Sequence, residues 1–186
     1  MMFLGRSVLM LVCFSSIWTA SAEEKVKIMP LGDSITGSPG CWRALLWKKL
    51  QDNNIKDIDF VGTLPPQGCG FDYDGDNEGH GGLLATDLAR ESRLERWLGD
   101  TKPDIVMMHL GSNDVWSTKK PEEILGALDK LVDQMRASKE SMKILVRIPS
   151  RAIAQVTPLD PAGCTNCMRG IEDFNKVIPI SIPIIG

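Results

Sequence analysis

The sequence has few histidines and no strongly basic segment. Only His80 and His109 occur among its 186 residues, and the formal net charge is −3 at pH 7 without any run of lysine or arginine. A tetrahedral zinc site takes four nitrogen or sulfur ligands, which two histidines and a single Cys-x-x-Cys pair supply poorly. A nucleic-acid-binding surface carries clustered lysine and arginine. We therefore expect no zinc centre, no nucleic-acid partner, and a substrate without charge.

Long apolar runs are equally scarce, and the one candidate lies at the N-terminus. Residues 8–18 are mostly apolar, follow Arg6 and precede Ala20-Ser21-Ala22. This order of a basic segment, an apolar segment and a small-residue cleavage site is typical of a secretory signal peptide. A membrane span would need about 18 uninterrupted apolar residues, and two serines interrupt this run. We expect residues 1–22 to be cleaved and residues 23–186 to form one secreted, monomeric domain without membrane contact.

The cysteines fit the same extracellular setting. Signal cleavage would remove Cys13 and leave Cys41, Cys69, Cys164 and Cys167. An even number of cysteines in an oxidising compartment predicts two disulfides, and four cysteines allow three connectivities that the sequence does not separate. The preferred pairing is Cys41 with Cys69 and Cys164 with Cys167.

Short apolar runs alternate with segments of helical periodicity along the chain. Strands are predicted at residues 25–31, 58–61, 104–110 and 142–146, and helices at 42–50, 84–98 and 121–135. Strands that alternate with helices favour a parallel sheet between two helical layers. We therefore predict an α/β fold, a three-layer α/β/α sandwich with a functional site at the carboxyl ends of the strands.

Ser34 directly follows the first predicted strand, within Gly32-Asp33-Ser34-Ile35-Thr36. A serine in a tight turn at a strand end can aim its hydroxyl into a cleft, while its own N–H faces a reacting carbonyl. The same residue could instead cap the next helix, since serine is favoured at that position. Taken alone, the motif does not separate a nucleophile from a helix cap.

Two further loops carry candidate oxyanion donors. Gly82 ends the segment Glu78-Gly79-His80-Gly81-Gly82, where glycines let a backbone N–H approach a ligand or simply meet a need for positive φ. Asn113 lies in Gly111-Ser112-Asn113-Asp114, just past the apolar run 104–110. Its amide could donate to an oxyanion, and an ordinary turn or helix cap would use the same residue types.

Taken together, the ordered blocks Gly-Asp-Ser-Ile-Thr, Gly-His-Gly-Gly and Gly-Ser-Asn-Asp resemble those of the SGNH (GDSL) hydrolase superfamily. More narrowly, residues 25–176 resemble carbohydrate esterase family three, secreted microbial enzymes that include acetyl xylan esterases. The resemblance implies a flavodoxin-like sheet, Ser34 as nucleophile, and Gly82 and Asn113 as oxyanion-hole residues. It also implies deacetylation of a plant polysaccharide such as xylan through an acyl-enzyme, with no metal or organic cofactor.

The sequence departs from this family in its last third. The catalytic Asp and His of the family lie in an Asp-x-x-His block near the C-terminus, and this chain has no such block. His80 is interpreted as a loop-organising residue and His109 as a satisfied core residue, so neither is assigned as the general base. We expect little or no esterase turnover from the residues present.

Two segments in that region suggest a mis-spliced or wrongly assembled gene model. Residues 147–153 bring a proline and two arginines into a predicted strand, and residues 177–186 are apolar but contain two prolines. On this interpretation the last strand and helix of the fold are missing. Two alternatives remain open: a non-catalytic carbohydrate-binding remnant, and a lipid or aryl esterase, which an apolar cleft would favour.

The acidic stretch at residues 72–78 permits one more reading. Its oxygen atoms could bind calcium, although the glycine spacing and the following residues do not fit an EF-hand loop. The preferred interpretation is a solvated acidic loop that shapes the site entrance, with no metal bound.

Overall fold

Alternating apolar and amphipathic segments form five strands and seven helices in the part of the chain that the computed structural model describes, residues 24–147 and 167–177. The strands are β1 (Val26–Gly32), β2 (Ile58–Phe60), β3 (Glu78–Gly79), β4 (Ile105–His109) and β5 (Lys143–Arg147). The helices are α1 (Ser34–Gly37), α2 (Trp42–Asp52), α3 (Ala85–Arg90), α4 (Arg93–Thr101), α5 (Ser112–Trp116), α6 (Pro121–Ser138) and α7 (Cys167–Val177).

All strand pairs among the described residues are parallel, and β1 lies at the centre of the pairing. The sheet order is β2-β1-β4-β5, and β3 pairs with the last two residues of β1. Gly32 lies opposite both Gly79 and His109, so β1, β3 and β4 end at the same edge of the sheet. The turns that follow these three strands therefore meet. The parallel sheet with helices on both faces confirms the predicted α/β/α fold.

The two faces of the sheet bury different amounts of apolar surface. One face forms the larger core with helices α3 to α7, and its members include the fully buried Leu31, Leu131 and Phe174. The opposite face packs on α2, where Phe60 is buried beside the half-buried Trp47 and Met107. The alternation of side chains along β1 and β4 assigns successive residues to opposite faces.

Two predicted elements differ from the structure. The segment predicted as one helix over 84–98 is two helices, because the polar run 90–93 has no apolar side chain to bury and Glu91 adopts an extended backbone. Arg147, the first residue of the segment 147–153 that was predicted to interrupt the last strand, is the last residue of β5, opposite His109, so the strand extends one residue beyond its predicted end at Val146. The remainder of that segment, the chain end after 177 and the predicted signal peptide lie outside the described residues.

The loop between β2 and β3 is tied to the start of α2. Cys41 and Cys69 form a disulfide across 28 positions, as predicted. Cys164 lies outside the described residues, so its pairing with Cys167 stays a prediction. Among the described helices, none combines the length and the apolar composition that crossing a bilayer requires.

Candidate active site

Ser34 is the first residue of α1, directly after β1. The cap of this short helix is Asp33, whose Oδ1 accepts a hydrogen bond from the Ile35 N–H at 2.9 Å. The helix-cap reading of Ser34 is therefore wrong, because its neighbour takes that role. N–H groups in a first helical turn have no acceptor within the helix. The half-buried Ser34 thus presents both a hydroxyl and a backbone N–H at the carboxyl end of the sheet.

A buried arginine fixes the other end of α1. The Arg43 guanidinium donates to the carbonyls of Thr36 at 2.8 Å and Gly37 at 3.3 Å, and also to the Gly75 carbonyl. Burial lowers the pKa of Arg43, while the charges of Tyr73 and Asp76 act in the opposite direction. One cation therefore connects the α1 turn to the loop that precedes β3.

The Gly82 turn lies beside this helix. Leu83 N–H donates to the His80 carbonyl at 3.1 Å, and Gly82 has φ +74°, the positive value that the third position of a type II turn requires. The turn's own hydrogen bond does not use the Gly82 N–H. His80 N–H donates to the Gly32 carbonyl at 2.9 Å, which holds the start of the turn against the end of β1.

Asn113 joins the other two blocks through one nitrogen atom. Its Nδ2 lies 3.3 Å from Asp33 Oδ2 and 3.1 Å from the Leu83 carbonyl oxygen. Asp33 precedes Ser34 and Leu83 follows Gly82, so the amide stands between the two candidate N–H donors. Both Nδ2 hydrogens are engaged in this arrangement. Donation to a substrate oxygen would displace the longer contact, the one to Asp33.

Asp33 is buried, and its protonation is shifted accordingly. Burial raises the pKa of Asp33 from 3.8 to about 6, and the Asp114 charge adds to this rise, while the backbone hydrogen bonds from Ile35 and from Asp33 itself oppose it. A carboxyl group with this pKa is largely ionised at pH 7 and can accept from Asn113 there.

The structure places His80 as the sequence predicted, in a loop-organising role. Its Nε2 pairs with Glu78 Oε2 at 2.8 Å, and its ring stacks on Trp97 with 4.5 Å between ring centroids and 6° between planes. Glu78 is completely buried and also accepts from Thr63 N–H at 2.5 Å and Thr63 Oγ1 at 3.1 Å. These contacts hold one ring nitrogen and one ring face of His80 within the loop.

His109 is buried at the end of β4, but it is not satisfied as predicted. Its Nε2 finds no hydrogen-bond partner within residues 24–147 and 167–177. Burial, together with the charge of Arg147, lowers the pKa of His109 from 6.5 to about 4. The side chain faces the α2 side of the sheet, where it lines a pocket of about 520 Å³ together with Ile35, Trp42, Met107, Leu145 and Arg147.

The acidic stretch is only partly the solvated loop that the sequence predicts. Asp72 and Asp76 are exposed, whereas Asn77 and Glu78 are buried and serve as internal hydrogen-bond partners. Asp74 Oδ2 accepts from the Phe60 N–H at 2.8 Å. Among the residues the structure describes, no group of three His, Cys, Asp or Glu side chains could hold a metal ion.

Three residues that sequence reasoning missed organise the site: Arg43, Glu78 and Asp114. The signal for Asp114 was its place beside Asn113, immediately after a buried strand. For Arg43 and Glu78 the informative fact is burial of a charged side chain, which the local sequence does not reveal because their partners come from other segments.

The pKa shifts of Asp33 and His109 predict opposing pH effects on stability. The folded state holds more protons than the unfolded state at Asp33 between pH 3.8 and about 6, so stability falls there as pH rises. At His109 the unfolded state holds more protons between about 4 and 6.5, so stability rises with pH. Each effect amounts to roughly 3 kcal/mol, and the two nearly cancel in the wild-type chain.

Single substitutions should reveal each of these two opposing pH effects separately. From pH 4 to 6.5, Asp33→Asn is expected to gain about 2 kcal/mol in unfolding free energy relative to wild type, and His109→Gln to lose about 2–3 kcal/mol. Urea unfolding at several pH values measures both slopes. Asp52→Asn, at a side chain that is 59% exposed, is the control. Parallel pH profiles for all four proteins would contradict the assignment.

The fold and this geometry define a class, the acyl hydrolases with a parallel α/β sheet. The chain belongs to the GDSL-like Lipase/Acylhydrolase family, whose model matches residues 31–180. It is a carboxylic ester hydrolase by family, which confirms the class that the three blocks predicted.

Several solved structures are similar to this chain in sequence and fold. A carbohydrate esterase family 3 protein from Talaromyces cellulolyticus is 33% identical, with a TM-score of 0.67 over 83% of this chain and 70% of that one. A family 3 carbohydrate esterase from Clostridium thermocellum is 29% identical, with a TM-score of 0.65 over 83% and 69%. A mutant acetyl esterase crystallised with an acetate ion is 32% identical, with a TM-score of 0.67 over 83% and 70%.

A curated multidomain esterase from Ruminococcus flavefaciens is 32% identical in an alignment over 143 residues, with coverage of 66% of this chain and 18% of that protein. The chain therefore spans less than a fifth of the length of this relative.

Proposed function

We propose that this chain carries the ester-binding and nucleophilic half of a secreted acetyl esterase that acts on acetylated plant polysaccharide such as xylan. Ser34 is the nucleophile, and the Ser34 N–H, the Gly82 N–H and the Asn113 amide form the oxyanion hole. The observation that carries the proposal is the Asn113 amide nitrogen, which lies within 3.3 Å of the residue before Ser34 and 3.1 Å of the residue after Gly82.

The chemistry follows from these groups. Ser34 Oγ attacks the acetyl carbonyl carbon and passes its proton to a base, while the carbonyl oxygen gains negative charge against the three donors. The tetrahedral intermediate expels the sugar oxygen, which takes up that proton and leaves as an alcohol. Water then attacks the acetyl-Ser34 ester by the same route and releases acetate.

We assign neither of the two histidines as the general base. His80 is held by Glu78 and Trp97, and His109 is a buried side chain on the α2 side of the sheet. The sequence has no third histidine. We therefore expect slow turnover by this chain alone, and a response to a base supplied from solution.

Several features support the polysaccharide substrate and the extracellular setting. The structural relatives are named as carbohydrate esterases, and the loop before the Gly82 turn is rich in Asp and Gly rather than in apolar residues. The Cys41–Cys69 disulfide is suited to an oxidising compartment. A domain at residues 23–186 that follows a cleaved signal peptide is part of this proposal, as is action as a monomer.

The pocket beside α1 favours a second candidate. It holds about 520 Å³, its lining is mostly apolar, and it contains Ile35, the residue next to Ser34. Such a lining suits a hydrophobic acyl or aryl group, and so supports a lipid or aryl esterase. A third reading, a non-catalytic carbohydrate-binding protein, requires glycan binding without acetyl transfer.

The proposal is tested by acetylation of Ser34 in the presence of added imidazole. The chain is incubated with 4-nitrophenyl acetate and imidazole, and intact-mass and peptide mass spectrometry locate the acetyl group. We expect one acetyl group on Ser34, formed faster as imidazole increases and absent from Ser34→Ala. Acetylation scattered over lysines, to the same extent in wild type and Ser34→Ala, would refute the assignment of Ser34 as the nucleophile.

Different acyl donors distinguish the three candidate functions. If the polysaccharide proposal holds, acetylated xylan should transfer an acetyl group to Ser34 and be deacetylated in the process. Faster acylation by 4-nitrophenyl esters of longer acids, without any reaction on xylan, would favour the lipid or aryl esterase. Binding of xylan without acetylation of Ser34 by any donor would favour the carbohydrate-binding reading.

A further inference from the structure

Asp114 is a buried carboxylate whose hydrogen bonds reach the start of another helix. It lies in α5 and has no exposed surface. Its Oδ2 accepts from the Ala85 N–H at 2.7 Å, and its Oδ1 accepts from the Thr86 N–H at 3.0 Å and the Thr86 hydroxyl at 2.7 Å. These donors lie 28 and 29 positions away in the sequence. One side chain of α5 thus takes three hydrogen bonds from the first turn of α3.

The neighbouring side chain contacts the same segment. Asn113 Nδ2 donates to the Leu83 carbonyl at 3.1 Å. Two consecutive residues of α5 therefore hold residues 83, 85 and 86, which directly follow Gly82.

The chemistry of the contact calls for a carboxylate. The first N–H groups of a helix lack acceptors within the helix, and an ionised carboxylate can accept all three hydrogen bonds with both oxygens. Hydrogen bonds to an ionised acceptor are shorter and stronger than those between neutral groups. An amide of the same shape accepts only through one oxygen, and its nitrogen would face an N–H group.

We propose that Asp114 is a positioning residue of the oxyanion hole: by holding the first turn of α3, it sets the Gly82 N–H relative to the Asn113 amide. This inference rests on the proposed function. Donors must lie about 2.7–3.1 Å from the oxygen they stabilise, and a misplacement of about 1 Å can cost a factor of 10² in rate. Asp114 touches no reacting atom and acts through Gly82 and Asn113.

The test measures acetate binding and hydrogen exchange in Asp114→Asn. Acetate presents a carboxylate oxygen to the oxyanion donors and needs no catalytic base. In ¹⁵N NMR titrations with sodium acetate, Asp114→Asn should bind acetate at least about tenfold more weakly than wild type. The Ala85 and Thr86 amides should also exchange faster, since they lose their acceptor.

Two control variants separate positioning from general stability. Leu88→Ala removes a fully buried side chain of α3 without touching the carboxylate. It should lower the melting temperature and leave the acetate dissociation constant within about twofold of wild type. Asp87→Asn removes a charge from the same helix at a partly exposed site and should change neither quantity.

A second test variant is Thr86→Val, which removes one of the three donors and should weaken acetate binding by a smaller factor than Asp114→Asn.

Each outcome decides the inference. Weak acetate binding in Asp114→Asn with normal binding in Leu88→Ala supports it. Wild-type binding in Asp114→Asn, or equal weakening in Leu88→Ala, overturns it and leaves the proposed function standing. If Asp114→Asn does not fold, Thr86→Val decides, and unchanged acetate binding there overturns the inference. If wild type binds no acetate, the proposed function fails and this inference fails with it.

Discussion

Replacing Asn113 with alanine is expected to slow acetylation of Ser34 by about 10²–10³-fold. Loss of one oxyanion donor has an effect of this size on acyl transfer, because the donor stabilises charge that develops only in the transition state. The measurement is the rate at which the acetyl group appears on Ser34 with 4-nitrophenyl acetate and fixed imidazole, followed by mass spectrometry.

Asn113→Asp is the matched variant, since it keeps the shape and replaces the donor by an acceptor that faces Asp33. It should be at least as slow as the alanine variant. Melting temperatures of both variants serve as the folding control. Acetylation of Ser34 at the wild-type rate in a folded Asn113→Ala protein is incompatible with a role for this amide in the oxyanion hole.

Substitution of Arg43 by methionine should cost about 3–5 kcal/mol of unfolding free energy. The side chain is completely buried, and its removal leaves the carbonyls of Thr36, Gly37 and Gly75 without their shared donor. Unpaired buried polar groups each cost about 1–3 kcal/mol. Chemical unfolding in urea, with the slope compared between proteins, measures the loss.

Two further variants sharpen this prediction. Arg43→Lys keeps the charge but loses the planar fork that reaches three carbonyls, so it should fall between wild type and methionine. Arg90→Met removes an arginine that is 70% exposed and pairs with Asp87, and it should cost less than about 1 kcal/mol. Equal stabilities for Arg43→Met and Arg90→Met would show that the buried contacts contribute nothing.

The order of the elements could be predicted from the sequence because it depends on local periodicity. The strand over 25–31 and the helix over 42–50 lie within a few residues of β1 and α2, and the three loops that carry Ser34, Gly82 and Asn113 fall where parallel strands end. The Cys41–Cys69 bridge was preferred among three connectivities and is present. These features depend on patterns that lie close together in the chain.

The supporting contacts could not be predicted, because each joins distant segments. Asp114 and Ala85 are 29 positions apart, and Arg43 and Gly75 are 32 apart. Glu78 looked like one more acidic residue in a polar loop, yet it is buried against Thr63 and His80. Burial of such groups is decided by the packing of loops from different strands, which no local pattern records. The two-residue strand β3 was missed for the same reason.

His109 shows a further limit of local patterns. Its position in an apolar run correctly predicted burial, but the pattern contains no information on which atoms surround the imidazole. The structure leaves its Nε2 without a partner in the described ranges and places the ring in the pocket beside Ile35. A buried histidine in an apolar strand can therefore be either satisfied or orphaned, and the difference depends on the opposing layer.

Whether Ser34, Gly82 and Asn113 form one oxyanion-binding site is measured by an acetate titration of the wild-type chain followed by ¹⁵N NMR. We expect the signals of the Ser34 N–H, the Gly82 N–H and the Asn113 side-chain amide to shift together and to saturate with a single dissociation constant. Asn113→Ala should weaken that constant without moving the shifts of distant amides. Saturation at another part of the surface, or three responses with unrelated dissociation constants, would show that these three groups do not form one site.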